Sequence, residues 1–394
     1  MSMRVALNLV FLVPGETGGM EVYARELLPR LAALDGLELA AIVNRVAARE
    51  AGAPWNAVRS VVAPVDARDR RQWVWGEQHH VPRLARALGA DLVHSLASTG
   101  PARIGPARPG PPRVTTVHDL HYAVAPEAHF GLRALGMRLL VPAAVKASRR
   151  VIAVSQATKD DIVRLIGFPA ERIDVVHSAA TPPDVGAPAT PEGELRARLE
   201  LGDRPLLLSL AAKRPHKNVE GLIDALAGIP PERRPVLVVP GYATKHEAAL
   251  RGRAEAAGVA ELVRFPGWLP HADVEGLWRA AAAHVFPSFH EGFGLPVLEA
   301  MARGVPGACS DRASLPEVAG DAALLFDPGD PAAIGAAIER LLGDAALRAR
   351  LAAAGRARAA QFSWERAARE TAASYERALG GERREDAPYP RRSR

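Results

Sequence analysis

The first 180 residues alternate short apolar, β-branched runs with longer stretches in which apolar positions recur every three or four residues. The runs Arg4–Val10, Leu37–Val43, Asp91–His94, Arg113–Val117, Arg150–Val154 and Ile173–His177 read as strands. Between the first two, Met20, Tyr23, Ala24, Leu27, Leu28, Leu31 and Leu34 fall on one helical face. Alternation of this kind implies parallel strands covered by helices on both faces. The pattern pauses over Ser178–Gly193, whose Pro, Ala and Gly content cannot support a core. It then restarts, with strands expected at Leu206–Leu210, Val236–Val239, Leu262–Phe265, His284–Phe286, Gly307–Ser310 and Ala323–Phe326. Helices are expected near Lys217–Ala227, Thr244–Ala257, Ala272–Ala283, Leu295–Arg303 and Pro331–Leu342. The sequence thus predicts an α/β chain of two doubly wound domains facing across a cleft. The first covers 1–178, a linker 179–195 and the second 196–361, with ligands at the carboxyl ends of the strands. Helical composition continues to about Leu379, and the polar, Arg/Pro-rich stretch 381–394 reads as a disordered basic tail.

Composition narrows the classes. A chain of 394 residues has room for two domains, and 48% hydrophobic with 24% charged residues is globular. The single cysteine, Cys309, excludes an intrachain disulfide framework and a Cys-based zinc site, which fits a cytoplasmic location. A net charge of +6 attracts anionic substrates or lipid headgroups. No interleaving of basic and aromatic residues points to nucleic acid. Met3–Val13 is apolar but carries Asn8, so it reads as a buried strand and not as a signal peptide. No run approaches the roughly 18 apolar residues of a membrane span, so any membrane role is peripheral, at the inner face.

The richest stretch is Glu291-Gly292-Phe293-Gly294-Leu295-Pro296-Val297-Leu298-Glu299-Ala300-Met301-Ala302. Two glycines let the backbone approach a ligand closely. The helix beginning near Leu295 points unpaired N–H groups outward, which favours an anion such as phosphate, and Pro296 suits its first turn. Glu291 and Glu299 flank that start, and carboxylates accept sugar hydroxyls. Phosphate with hydroxyls on either side describes a nucleotide sugar; the plainer reading is an amphipathic helix with solvated carboxylates. Elsewhere, Gly15-Glu16-Thr17-Gly18-Gly19 follows the first strand, where adjacent glycines let amides face a phosphate or hydroxyl. His118 stands at a strand tip, able to hydrogen-bond sugar hydroxyls or simply to satisfy backbone groups; His121 lies three residues on, without a further metal ligand. Lys213-Arg214-Pro215-His216-Lys217-Asn218 puts cations at the end of another strand, where they could offset charge building on a diphosphate or merely solvate a helix start. Ser155 suits an N-cap, and Trp268 in Phe265–Leu269 reads as packing.

The twelve-residue block from Glu291 resembles the signature of retaining glycosyltransferase family 4, which has the GT-B fold of two Rossmann-like domains. Residues Gly18, Gly19, His118, Lys217-Asn218, Asp311–Pro328 and Phe362–Glu365 match further motifs of that family. The resemblance covers the chain to about Leu379 and is weakest over Arg45–Arg86. It implies catalytic roles for His118, Lys217 and Glu291, with Glu291 on the donor sugar and Glu299 on the ribose. It places Gly18, Gly19, Lys217, Gly292, Phe293, Gly294 and Leu295 on the donor. Either Lys213 or Arg214 completes the phosphate clamp, because the family's usual arginine is replaced by Ala211 or Ala212. His177-Ser178-Ala179-Ala180 departs from the family pattern at the hinge. The last helix, within 362–380, is implied to cross back to the first domain. No D-x-D triplet occurs, and the implied reaction needs no metal and no cofactor beyond the nucleotide-diphosphate sugar. The implied acceptor is a glycan or lipid-linked sugar, in cell-surface polysaccharide or glycolipid synthesis, with mannose, rhamnose or glucose as donor sugars. A sugar-nucleotide epimerase, a non-catalytic sugar-nucleotide binder and a pyridoxal-dependent phosphorylase of related architecture are the alternatives.

Overall fold

The computed structural model describes residues 2–102, 110–124, 132–181 and 188–380. The chain divides into two compact units, Met1–Ser178 with Trp364–Arg394, and Ala179–Ser363.

Unit 1 is built on seven parallel strands ordered β3-β2-β1-β4-β5-β6-β7. They are β1 Met3–Leu9, β2 Leu37–Val43, β3 Arg59–Val62, β4 Leu92–Ser95, β5 Arg113–Val117, β6 Arg150–Ala153 and β7 Ile173–Val175. The central β1 pairs on both sides, Val5 opposite Leu39 and Leu92. Its Val5, Ala6, Leu7 and Leu9 are buried because helices cover both faces, each Val or Leu side chain contributing roughly 1.5–3 kcal/mol. The helices are α1 Gly19–Ala32, α2 Arg70–Trp75, α3 Val81–Ala87, α4 His121–Val124, α5 Leu132–Ala147 and α6 Gln156–Ile166, with a π-helical turn at Gly76–His80 joining α2 to α3. Tyr23, Ala24, Leu27, Leu28 and Leu31 form the buried face of α1. Ser155 caps α6, its Oγ accepting from the Thr158 N–H at 3.0 Å, and Gly167 ends that helix at φ 70°. Strand β3 was not legible as an apolar run: it is an edge strand, and Arg59, Ser60 and Val62 stay exposed.

Unit 2 carries six parallel strands ordered β10-β9-β8-β11-β12-β13. These are β8 Leu206–Leu208, β9 Val236–Val238, β10 Val263–Arg264, β11 Ala281–Phe286, β12 Gly307–Ser310 and β13 Leu324–Phe326. Its helices are α7 Glu192–Arg198, α8 Val219–Gly228, α9 Glu247–Ala256, α10 His271–Ala280, α11 Leu295–Ala302, α12 Leu315–Ala319, α13 Pro331–Gly343 and α14 Ala345–Ala359. Two expectations need correction. Helix α7 begins inside the expected linker, because Leu195 is buried and the Thr190 N–H donates to the Ala272 carbonyl at 3.0 Å. Ala281–Ala283 are strand, not helix, since an alanine run fits either periodicity and pairing with β8 decides. The last helix, α15 Trp364–Gly380, packs within unit 1 against α1. Arg30 Nε donates to Glu365 at 2.9 Å, Ser374 Oγ to Asp174 at 2.7 Å, and the Tyr375 hydroxyl bonds the buried His94 at 2.7 Å. The expected polar tail 381–394 and residues 182–187 of the expected linker lie outside the described residues.

Candidate functional site

In an open parallel sheet the crevice forms where strand order reverses. In unit 2 that point lies between β8 and β11, so the loop after β8 meets the loop after β11. Lys217 and Glu291 meet there, Nζ donating to Oε1 at 2.5 Å, with side chains 17% and 13% exposed. Lys217 Nζ also stands 5.3 Å from the Phe286 ring centre. The loops are fixed to each other by backbone: the Phe289 N–H donates to the His216 carbonyl at 2.9 Å, and Ser288 Oγ to the same carbonyl at 3.0 Å.

The Glu291–Leu295 turn is shaped from below. Ser314 Oγ lies within hydrogen-bond distance of the carbonyls of Glu291 (2.9 Å) and Phe293 (2.8 Å), its single proton shared between them, which holds them toward the protein. Gly294 sits at φ 106° as the start of α11, and no side chain caps that helix. Val297 and Leu298 N–H return to the Gly294 carbonyl at 3.0 and 3.3 Å, and Pro296 has no N–H to satisfy. The Leu295 N–H has no acceptor within the helix, which leaves the positive end of α11 for an anion. A Cβ on Gly294 would lie 2.6 Å from Leu315 Cδ2. Glu299, one turn in, is half-buried with no hydrogen-bond partner for its carboxylate. Burial pushes it up to about 7, Arg303 opposing and Glu275 reinforcing the shift. Arg303 is itself held by a buried ion pair with Glu275.

The basic loop resolves into three different tasks. Lys213 is wholly buried, its Nζ donating to the Gly241 carbonyl at 2.5 Å and standing 3.7 Å from Glu247; burial lowers its pKa and Glu247 opposes that. Arg214 is exposed and makes no side-chain hydrogen bond or ion pair among the described residues. Asn218, at φ 54°, caps α8 through the Gly221 N–H at 3.2 Å and donates to the Pro328 carbonyl at 2.7 Å. Trp268 is 66% exposed and stacks on Tyr242 at 4.5 Å, so it does not serve as core packing.

In unit 1 the reversal falls between β1 and β4. Exposed Gly18, at φ 64°, and Gly19 follow β1 and open α1. His118 directly follows β5, its N–H donating to Ser98 Oγ at 3.1 Å and its Nε2 lying 2.8 Å from the Leu96 carbonyl. A carbonyl only accepts, so Nε2 carries the proton and Nδ1 keeps its lone pair. Burial lowers the His118 pKa, the Leu96 bond and Asp119 opposing, which keeps the ring neutral. Tyr23 stands edge-on to His118 at 4.9 Å, and Trp364 edge-on to Tyr23 at 5.7 Å. His121 is buried, and no three His, Cys, Asp or Glu side chains gather as a metal site among the described residues. No described helix is long and apolar enough to cross a membrane. Ser288 and the Arg303–Glu275 pair carried no sequence signal, while Tyr23 read only as part of a helical face and Ser314 only as part of the Asp311–Pro328 block; each makes its contact only on folding.

Comparison with known proteins decides the family. Residues 17–180 match "Glycosyltransferase Family 4" and 192–358 match "Glycosyl transferases group 1". The O-antigen chain mannosyltransferase B of Escherichia coli is 36% identical over 66% of this chain and 69% of its own. The chain belongs to glycosyltransferase family 4. A D-inositol 3-phosphate glycosyltransferase of Frankia alni is 31% identical over 93% of this chain and 96% of its own. A serotype-specific mannosyltransferase WbdA of Escherichia coli is 31% identical over 70% of this chain, which spans about a third (34%) of that protein's length. Among solved structures, a sucrose-phosphate synthase of Thermosynechococcus elongatus gives a TM-score of 0.76 at 22% identity, covering 96% of this chain and all (100%) of that one. Anabaena HepE in complex with UDP and glucose gives 0.71 at 20%, covering 95% and 100%. These likenesses speak to the fold, which is GT-B, and this glycosyltransferase is a hexosyltransferase by its family.

Proposed function

We propose that this family 4 glycosyltransferase moves a hexose, with retention of configuration, from a nucleotide-diphosphate sugar to a glycan or lipid-linked acceptor. The observation that carries the proposal is the Lys217–Glu291 pair at the β8/β11 reversal beside the uncapped start of α11. An ammonium and an N–H-bearing helix end suit a diphosphate; two nearby carboxylates suit hydroxyls. The donor's C1–O bond to phosphate breaks as the acceptor oxygen approaches from the same face. The acceptor proton passes to the departing phosphate oxygen, so no enzyme carboxylate attacks the sugar. Lys217 and the Gly292–Leu295 amides stabilise the leaving charge, with exposed Arg214 as the second cation in place of the engaged Lys213. Glu291 and His118 Nδ1 orient the sugar and Glu299 the ribose, while Gly18 and Gly19 border the phosphate.

The Escherichia coli mannosyltransferases make mannose the first donor sugar to test, and the O-antigen chain in the name of mannosyltransferase B supports a surface polysaccharide as product. The net charge of +6 supports peripheral contact with anionic lipid. Calorimetry with a panel including GDP-mannose and UDP-glucose, followed by transfer assays on mannose-terminated acceptors, tests the reading. Heat with at least one donor and acceptor-dependent product is expected. Silence across the panel overturns it, and turnover of donor without acceptor would assign an epimerase.

A further inference from the structure

Helix α2 ends on Trp75, which is 55% exposed, and the π-helical turn that follows brings His79 parallel to its indole at 3.6 Å and 17°. One face of the ring is thus covered by an imidazole while over half the residue's surface stays open. π-Helical turns are rare and concentrate at functional sites. Within this one, among the described residues, His79 Nδ1 is buried without a hydrogen-bond partner.

The segment is tied to the ligand-bearing end of the unit 1 sheet by four contacts. Glu77 Oε1 accepts from Asn8 of β1 at 3.2 Å and from Thr99 beyond β4 at 3.1 Å. Gln78 grips the same β4 loop, donating to the Gly100 carbonyl at 2.9 Å and accepting from the Ala102 N–H at 2.8 Å. Just before α2, Arg68 pairs at 3.3 Å with Glu16, inside the loop that carries Gly18 and Gly19. A flat aromatic face, fixed by stacking and held on the loops at the carboxyl end of a parallel sheet, matches the apolar face of a pyranose ring. Trp joins apolar area with low ordering cost. An interfacial lipid anchor would need further exposed apolar residues on the same helix, and α2 otherwise presents exposed Arg70, Arg71 and Gln72.

We propose that the Trp75–His79 stack is a platform for a pyranose ring of the acceptor. The proposal rests on the transferase reading above. It is tested by titrating α-mannobiose and maltose into the wild type, W75A, W75F and H79A, following tryptophan fluorescence and calorimetric heat, with donor binding measured in parallel. Trp75 emission should respond to at least one disaccharide in the wild type. W75A should lose affinity roughly tenfold or more, W75F should keep most of it, and H79A should fall between, because the stack positions the ring. Donor affinity should not change in any variant. Wild-type disaccharide affinity in W75A overturns the platform. So does a Trp75 response to anionic vesicles with none to saccharide, which would make the surface a membrane contact. Failure of the transferase reading would show separately, as absent donor binding.

Discussion

At the reversal point of unit 2 two charges meet, Lys217 and Glu291, both partly open to solvent. At the corresponding point of unit 1 the strand-end groups are uncharged and buried, Asn8 of β1 donating to Ser95 of β4 at 3.2 Å, while the charged Glu16–Arg68 pair lies exposed in the loop after β1. Burial also favours the uncharged form of His118 and holds His94 down at about 3 and Glu77 up at about 7. One parallel-sheet plan thus carries two chemistries. Unit 2 keeps a charged pair at its strand-order reversal, which on the proposed function would face the donor's diphosphate. The strand ends of unit 1 keep uncharged donors and acceptors, which cost less to dehydrate.

Removing the charge breaks this contrast most sharply. K217A should lower kcat roughly 10²–10³-fold, as loss of an oxyanion-stabilising donor does. It should weaken donor binding as well, since Glu291 loses its ion-pair partner. An unchanged kcat in steady-state assays would remove Lys217 from the chemistry.

The two glycine turns sharpen the contrast next. G294A combines a positive φ with a Cβ 2.6 Å from Leu315, so unfolding free energy should fall by roughly 2–5 kcal/mol. G18A meets no atom within 4 Å and bears only the backbone strain, about 1–2 kcal/mol. Denaturant titration of both variants checks the order, and equal losses would mean that Leu315 yields.

The smallest effect concerns Glu299. Its pKa near 7 in the folded protein, against an ordinary 4.5, means that the folded state takes up a proton as pH falls. Its contribution to stability is therefore complete below 4.5 and is lost as pH rises through 7. Donor affinity should move the opposite way, strengthening as pH passes 7, because the ionised carboxylate accepts more ribose O–H bonds. E299Q should flatten the affinity profile and raise the melting temperature at pH 8 more than at pH 4. Parallel profiles for wild type and E299Q would show that this carboxyl does not face the ribose.

Much of this was legible from spacing. Continuous apolar runs marked the buried strands, because parallel strands hide both faces, and the Glu291–Ala302 block marked a Gly turn opening a helix. The edge strand β3 escaped because three of its four residues, Arg59, Ser60 and Val62, face water. The division of labour between Lys213 and Arg214 escaped because adjacent basic residues look alike until one is folded onto the Gly241 carbonyl. Trp268 and Trp75 were equally opaque: a tryptophan in a sequence is first of all a core residue, and only the folded surface shows which ones stay open.

The amino-acid order alone determined the alternation of elements, the place of the Gly turns and the residue types gathered near them, since these depend on periodicity and on backbone freedom of neighbours. Tertiary structure decided which cation is engaged and which is open, which carboxyl is buried enough to hold its proton and which serines steer the Glu291–Leu295 amides. Those outcomes depend on partners such as Gly241 for Lys213, Glu275 for Glu299 and Ser314 for the Glu291 turn, and burial and hydrogen bonding exist only once the strands are laid side by side.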